Sequence, residues 1–174
     1  LAAALVYAHF SVRGLADGFV TEQARNIANG YFDGLNKLML TGGMDTRGEL
    51  HKSVLSQTNV LSARVIRGDG VKGQYGPGLP DEAATDDLDR QALAGNEVTV
   101  ISRTDKGRQL TVIQPFRSST NTRGVNCTGC HAVPENTVLG AIRVSYDLGP
   151  VDARIARVDI VNLAIHVTMF SVGL

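Results

Sequence analysis

The chain has 174 residues and two cysteines, and both cysteines fall in one five-residue run, Cys127-Thr128-Gly129-Cys130-His131. Cys-x-x-Cys followed by His is the attachment signature of a c-type haem. In that chemistry both thiols add to the vinyl groups of the porphyrin as thioethers. The His beside the second Cys is held under the iron as its proximal axial ligand. With no other cysteine in the chain, coincidence is a poor explanation of the run. The signature also sets a compartment, because haem is attached in this way on the oxidising, extracytoplasmic side of a membrane.

Three rival chemistries fit less well. A structural zinc needs four ligands, commonly a second Cys pair or a His pair, and His9, His51 and His166 are scattered. A thioredoxin-like redox pair opens a helix after a strand. Here the motif follows the polar run Arg117-Ser118-Ser119-Thr120-Asn121-Thr122-Arg123-Gly124 and precedes Pro134, which is loop composition. A plain disulfide between cysteines three apart strains the bond geometry.

The length suits one domain with a real core. Formal net charge is zero, and no basic stripe with interleaved aromatics appears, so a nucleic-acid partner is not expected. Residues 1–12 are almost all apolar or small, and residues 160–174 are mostly apolar. A membrane-spanning helix takes about 20 such residues. Both ends are read as parts of spanning helices, with two buried core helices as the alternative. The expected plan is therefore the end of a first transmembrane helix (1–12), an extracytoplasmic haem domain (13–154) and the start of a second transmembrane helix (155–174). That is the layout of a membrane receptor whose sensor region lies outside the cytoplasm.

Within the central segment, Val20, Ala24, Ile27, Tyr31, Leu35 and Leu38 recur on one face of a 3.6-residue period, which predicts a helix over 13–41. Thr41-Gly42-Gly43 ends it, since glycine suits the left-handed cap. Thr46 and Glu49 have the spacing of a capping box for a second helix to about residue 57. Strands are expected at 60–67, 71–75, 97–103, 108–116 and 138–148, with Gly68-Asp69-Gly70 turning the first pair. Residues 81–94 read as a short helix with an acidic first turn. In the last strand, Ile142, Val144 and Tyr146 share one face and Arg143 and Ser145 the other. The predicted fold is α+β: a PAS-like or Cache-like antiparallel sheet of five strands, with a long N-terminal helix and a C-terminal exit helix. The haem loop, about 117–136, interrupts the last hairpin.

Several runs carry a resemblance to a known family. These are L-M-L-T-G at 38–42, the segment ending Y-G-P-G-L-P at 68–80, L-D-R-x-A-L-x-G at 88–95, C-T-G-C-H, and L-G-A-I-R-V-S-Y-D at 139–147. The chain resembles the periplasmic sensor domains of bacterial methyl-accepting chemotaxis proteins that carry one covalent c-type haem on a PAS-like fold. Similar sensor regions are fused to histidine kinases and cyclases. The resemblance implies a homodimer, with helices exchanged between protomers as one form of it, and haem chemistry coupled to signalling across a membrane.

Cys127, Cys130 and His131 are the expected haem c residues. For the distal iron ligand the candidates are Met39, beside the apolar stripe of the long helix, and Met44, just past the Gly-Gly break. A Met from this helical region that can leave the iron is what the resemblance implies. His51 is a weaker candidate on a polar helix, where a solvated His is the plainer reading, and water is another alternative. His9, His166 and Met169 lie in the membrane-facing ends. Arg103, Arg108, Arg117, Arg123 and Arg143 are candidates to neutralise haem propionates, although each also reads as a solvated residue. Tyr75 and Tyr146 are candidates to line the pocket, although core or edge packing is the plainer reading.

A permanent ligand would make an electron carrier, whereas a displaceable one would let the iron bind NO, CO or another small molecule. The expected function is a non-enzymatic sensor of redox state or of a small gas. The alternative is a membrane-anchored electron-transfer cytochrome, although such proteins are usually helical around their haem. A haem enzyme would need a distal His-Arg constellation, and none is readable near the motif. In a fourth reading, the haem is structural and a pocket beneath the Pro77 loop holds a small molecule.

Overall fold

The computed structural model describes residues 2–172. Leu1, Gly173 and Leu174, at the tips of the two expected membrane-facing ends, lie outside the described residues. Among the described residues the fold is α+β, with five α-helices and one four-stranded antiparallel sheet.

Helix α1 (Ala2–Thr41) has 40 residues and is about 60 Å long. Val20, Ala24, Ile27, Tyr31 and Leu35 are buried, as the periodicity predicts. The helix passes residues 12 and 13 without a break, so the expected domain boundary is not marked by a change of structure. Its end is the predicted glycine cap. Gly42 sits at φ 72°, Gly43 N–H donates to Leu38 C=O at 2.8 Å, and Gly42 N–H reaches Met39 C=O at 3.5 Å. These two bonds make a Schellman closure.

A 3-10 turn, Met44–Thr46, leads into α2 (Arg47–Leu55). The expected capping box does not form. Thr46 has φ −89° and ψ 5°, already part of the turn. Its hydroxyl donates back to Gly43 C=O at 2.7 Å, and Glu49 accepts from Lys52.

The strands are β1 (Val60–Arg67), β2 (Val98–Thr104), β3 (Gly107–Arg117) and β4 (Val138–Asp147), in spatial order β1-β4-β3-β2. The fifth expected strand, 71–75, is absent. Those residues belong to helix α3 (Asp69–Tyr75), and the neighbour of β1 is β4. Gly68 and Gly140 let these two strands close up. A Cβ on Gly68 would lie 2.6 Å from Val138 O, and one on Gly140 would lie 2.5 Å from Ile66 O. The helix expected over 81–94 is two shorter pieces, a 3-10 turn Pro80–Glu82 and α4 (Asp87–Leu93). Asp86 caps α4 by accepting from Asp89 N–H. Helix α5 (Gly149–Val172) leaves from the end of β4, where Asp147 accepts from Gly149 N–H at 2.8 Å.

The sheet has two dressed faces. α1 and α2 cover one, where Leu110, Val112, Phe116, Ile142, Val144 and Tyr146 join the main core. α4 covers the other, over Ile66, Val98, Ile113 and Ala141. Arg143 and Ser145 therefore point away from α1, as the alternation predicts. Among the described residues no helix is long and apolar enough to cross a membrane.

Candidate functional site

Between β3 and β4 the chain makes a loop, residues 118–137, that holds the Cys-x-x-Cys-His run. Its two ends are fastened together. Ser118 N–H donates to Thr137 C=O at 2.8 Å, Asn136 N–H to Ser118 C=O at 2.7 Å, and the Ser118 hydroxyl to Pro134 C=O at 2.7 Å. Where β3 meets the loop, Phe116 stacks on Phe32 of α1 with ring centroids 3.7 Å apart. Farther along, Arg123 forks the carboxylate of Asp33 on α1 at 2.6 and 2.7 Å.

The motif itself is one helical turn. Asn126 opens it by accepting from Gly129 N–H at 3.2 Å. Cys127–Gly129 are a 3-10 turn, and both Cys130 and His131 donate their N–H to Cys127 C=O, at 3.2 and 2.9 Å. Residues three and four apart in such a turn lie on one side of it, so Cys130 and His131 share a side with Cys127. Both thiols are free, Cys127 buried and Cys130 exposed.

Helix α3, the segment read as a strand, is what docks this turn. Gln74 Nε2 and the Tyr75 hydroxyl both donate to Cys130 C=O, at 2.8 and 2.7 Å. Gln74 Oε1 accepts from Ala132 N–H at 2.8 Å. The Tyr75 ring meets His131 edge-on, with centroids 5.5 Å apart. Tyr75 thus contacts the motif through both its hydroxyl and its ring. Tyr146, by contrast, is buried in the main core.

Burial holds the His131 imidazole below its ordinary pKa, which favours the neutral form that can ligate a metal. Its Nδ1 is buried without a hydrogen-bond partner, an uncommon state for a polar atom in a folded protein. Two free thiols in one turn beside a neutral imidazole have the chemistry that covalent haem attachment needs. Among the described residues, no three His, Cys, Asp or Glu side chains gather to hold a metal ion.

The distal candidates flank the Gly42-Gly43 turn. Met39 is 41% exposed near the end of α1. Met44 is partly buried against the main core. The other histidines are engaged elsewhere. His51, read as solvated, is half-buried and bonds the Tyr31 hydroxyl at 3.1 Å. His9 pairs with Asp159 at 2.7 Å, and His166 bonds the carbonyl of Asn162.

Four of the five candidate arginines are committed to protein partners. Arg108 pairs with Asp17 of α1 and Asp152 of α5, and Arg143 with Asp86 and Asp89. Arg123 holds Asp33, and Arg117 donates to Asn136 and Gly95 carbonyls. Beneath the Pro77 loop lies the Arg67–Glu82 pair, 2.6 Å apart. Gly78 packs so closely on it that a Cβ there would lie 2.0 Å from Glu82 Oε2. Gln74 was not legible as a residue beside the motif, because it acts through contacts made more than 50 residues along the chain.

No protein-family model and no curated protein matches the chain.

Proposed function

We propose that residues 13–154 are the periplasmic, PAS-like haem c sensor domain of an inner-membrane signal-transduction receptor of the chemotaxis type. The two ends are read as parts of its spanning helices, and the receptor as a homodimer. The observation that carries this reading is the placement of the chain's only two cysteines. They stand unpaired in one helical turn, beside a half-buried His131 whose pKa is held down.

When bound, the haem would supply an iron that changes oxidation state or takes a small ligand such as NO or CO. The protein's part is to hold and to transmit. Cys127 and Cys130 tether the group, and His131 presents a neutral nitrogen to it. Gln74 and Tyr75 fix the backbone between them. Asp33 and Arg123 tie the loop to α1. Arg108 ties the sheet to both α1 and α5, the first and last helices of the fold. A change at the loop would bias two arrangements of that helix pair, as in other receptor switches. Met39 or Met44 is the proposed displaceable ligand.

The test is to produce the chain in a host that attaches c-type haem in its periplasm, and to measure intact mass and optical spectra. Wild type should carry one haem that survives denaturation, and the Cys127→Ala/Cys130→Ala variant none. A wild-type protein with no covalent haem ends the proposal. If the haem is present, a ferrous iron that takes CO or NO supports gas sensing. An iron that refuses both supports redox sensing or electron transfer.

A further inference from the structure

A groove of about 290 Å³ runs between α1 and the loop that leads into the Cys-x-x-Cys-His turn. Asp33, Asn36, Lys37, Leu40 and Thr41 line it from α1, and Arg123 and Val125 from the loop. Neither cysteine lines it, but the Cys127 thiol lies 4.0 Å from the carbonyl of Val125. The groove therefore begins next to the attachment point.

Its chemistry is specific. Asp33 and Arg123 neutralise each other through two hydrogen bonds. The exposed ammonium of Lys37 has no ion-pair partner among the described residues, so the groove keeps one positive charge. Asn36 is only 4% exposed, and its Nδ2 donates to nothing. Nothing else meets this buried donor, so an acceptor drawn into the groove would supply the partner it lacks. Leu40, 61% exposed, and Val125 give the groove an apolar wall. One excess cation, one unmet donor and an apolar wall together suit a carboxylate carried on an apolar body.

We infer that this groove is a carboxylate-binding site, with Lys37 and Asn36 as its donors. Two sources offer that chemistry, a propionate of the haem on Cys127 and Cys130, or a free organic acid. The first rests on the function proposed above; the second does not.

The experiment uses the full haem-loaded chain with Lys37→Gln, an exposed change that spares the fold, and Asn36→Leu. Midpoint potential is followed against pH, and hexanoate is titrated by calorimetry. For a propionate, the pH range in which the potential falls should move up by about one unit in Lys37→Gln, and hexanoate should give no heat. For a free acid, hexanoate should bind wild type saturably and about tenfold more weakly in either variant, a loss of about 1.4 kcal/mol, with the pH range unmoved. If the pH range stays put and hexanoate does not bind, the inference is overturned. If intact mass shows no haem, the sensor proposal fails separately, and the hexanoate titration alone decides the groove.

Discussion

Asp33 and Arg123 stand 90 residues apart and meet in a two-bond fork, at 2.6 and 2.7 Å, that ties the motif loop to α1. Arg123 makes this reach from a left-handed backbone, φ 50°, a conformation that costs a non-glycine residue about 1–2 kcal/mol. The fork opposes that cost.

The pair is nearly half exposed, 44% and 45%, so Asp33→Asn should lower global stability by under about 1 kcal/mol. The local effect should be clearer. Hydrogen exchange over residues 118–127 should speed up about fivefold at neutral pH. The Arg123 hydrogen bonds hold the Asp33 carboxyl below its usual pKa. A depressed carboxylate contributes stability above its unfolded pKa, about 3.9, and loses it as pH falls through the lower folded value. The difference in melting temperature between wild type and Asp33→Asn should therefore shrink as pH drops below about 4. A difference that stays constant would mean the fork is not formed in solution.

Asp89 is fully buried on the opposite face of the sheet. It pairs with Arg64 at 3.2 Å and Arg143 at 2.8 Å, and accepts from the Thr85 N–H and hydroxyl at 2.9 and 3.0 Å. Burial alone would raise its pKa, but the hydrogen bonds from Thr85 and Arg143 outweigh burial and hold it low. Asp89→Asn leaves two guanidinium groups without their shared carboxylate, at a cost of about 3–5 kcal/mol. Urea unfolding at pH 7 measures it. Because the folded pKa is depressed, the wild-type advantage should fade on acidification below about pH 4. A loss under about 1 kcal/mol would show that Asp86 and solvent replace Asp89 without difficulty.

These two relationships mark what sequence can and cannot supply. The α1 stripe, the Gly42-Gly43 stop and the β4 alternation were legible because each depends on residues within a few positions. Residues 71–75 were misread for the opposite reason. Five residues of mixed pattern do not separate strand from helix, and what favours the helix is the long-range contact of Gln74 and Tyr75 with Cys130. Thr46 and Glu49 had the right spacing for a capping box, but the Schellman closure sets Thr46 in a turn geometry that no spacing reveals. The cysteine turn was legible as chemistry. Its docking helix, its tie to α1 and the Lys37 groove were not, since each pairs residues far apart in the chain.

The docking of the motif on α3 makes a graded prediction. Gln74→Ala removes three hydrogen bonds, to Cys130 C=O, to the Tyr75 hydroxyl and from Ala132 N–H, whereas Tyr75→Phe removes two, to Cys130 C=O and from Gln74 Nε2. Each such bond is worth about 0.5–1.5 kcal/mol, and these are exposed. Gln74→Ala should therefore lower stability about one and a half times as much as Tyr75→Phe in thermal denaturation. Equal or negligible effects would mean that the motif is held by its own turn and not by α3.

The two methionines separate by stability and by spectrum. Met39 is 41% exposed, so Met39→Ala should change stability by no more than about 0.5 kcal/mol. Met44 packs on the main core, so Met44→Ala should cost about 2 kcal/mol by losing buried contacts. Neither number depends on haem. In the haem-loaded protein, loss of a thioether ligand should turn low-spin ferrous iron toward high spin. Met39 or Met44 is the proposed ligand, and a ligand at Met39 would tie the iron directly to α1. With Met39 as the ligand, Met39→Ala should change the ferrous spectrum while Met44→Ala leaves it alone. The reverse result assigns Met44. An unchanged spectrum in the double variant removes thioether ligation, and with it any switch in which a methionine leaves the iron.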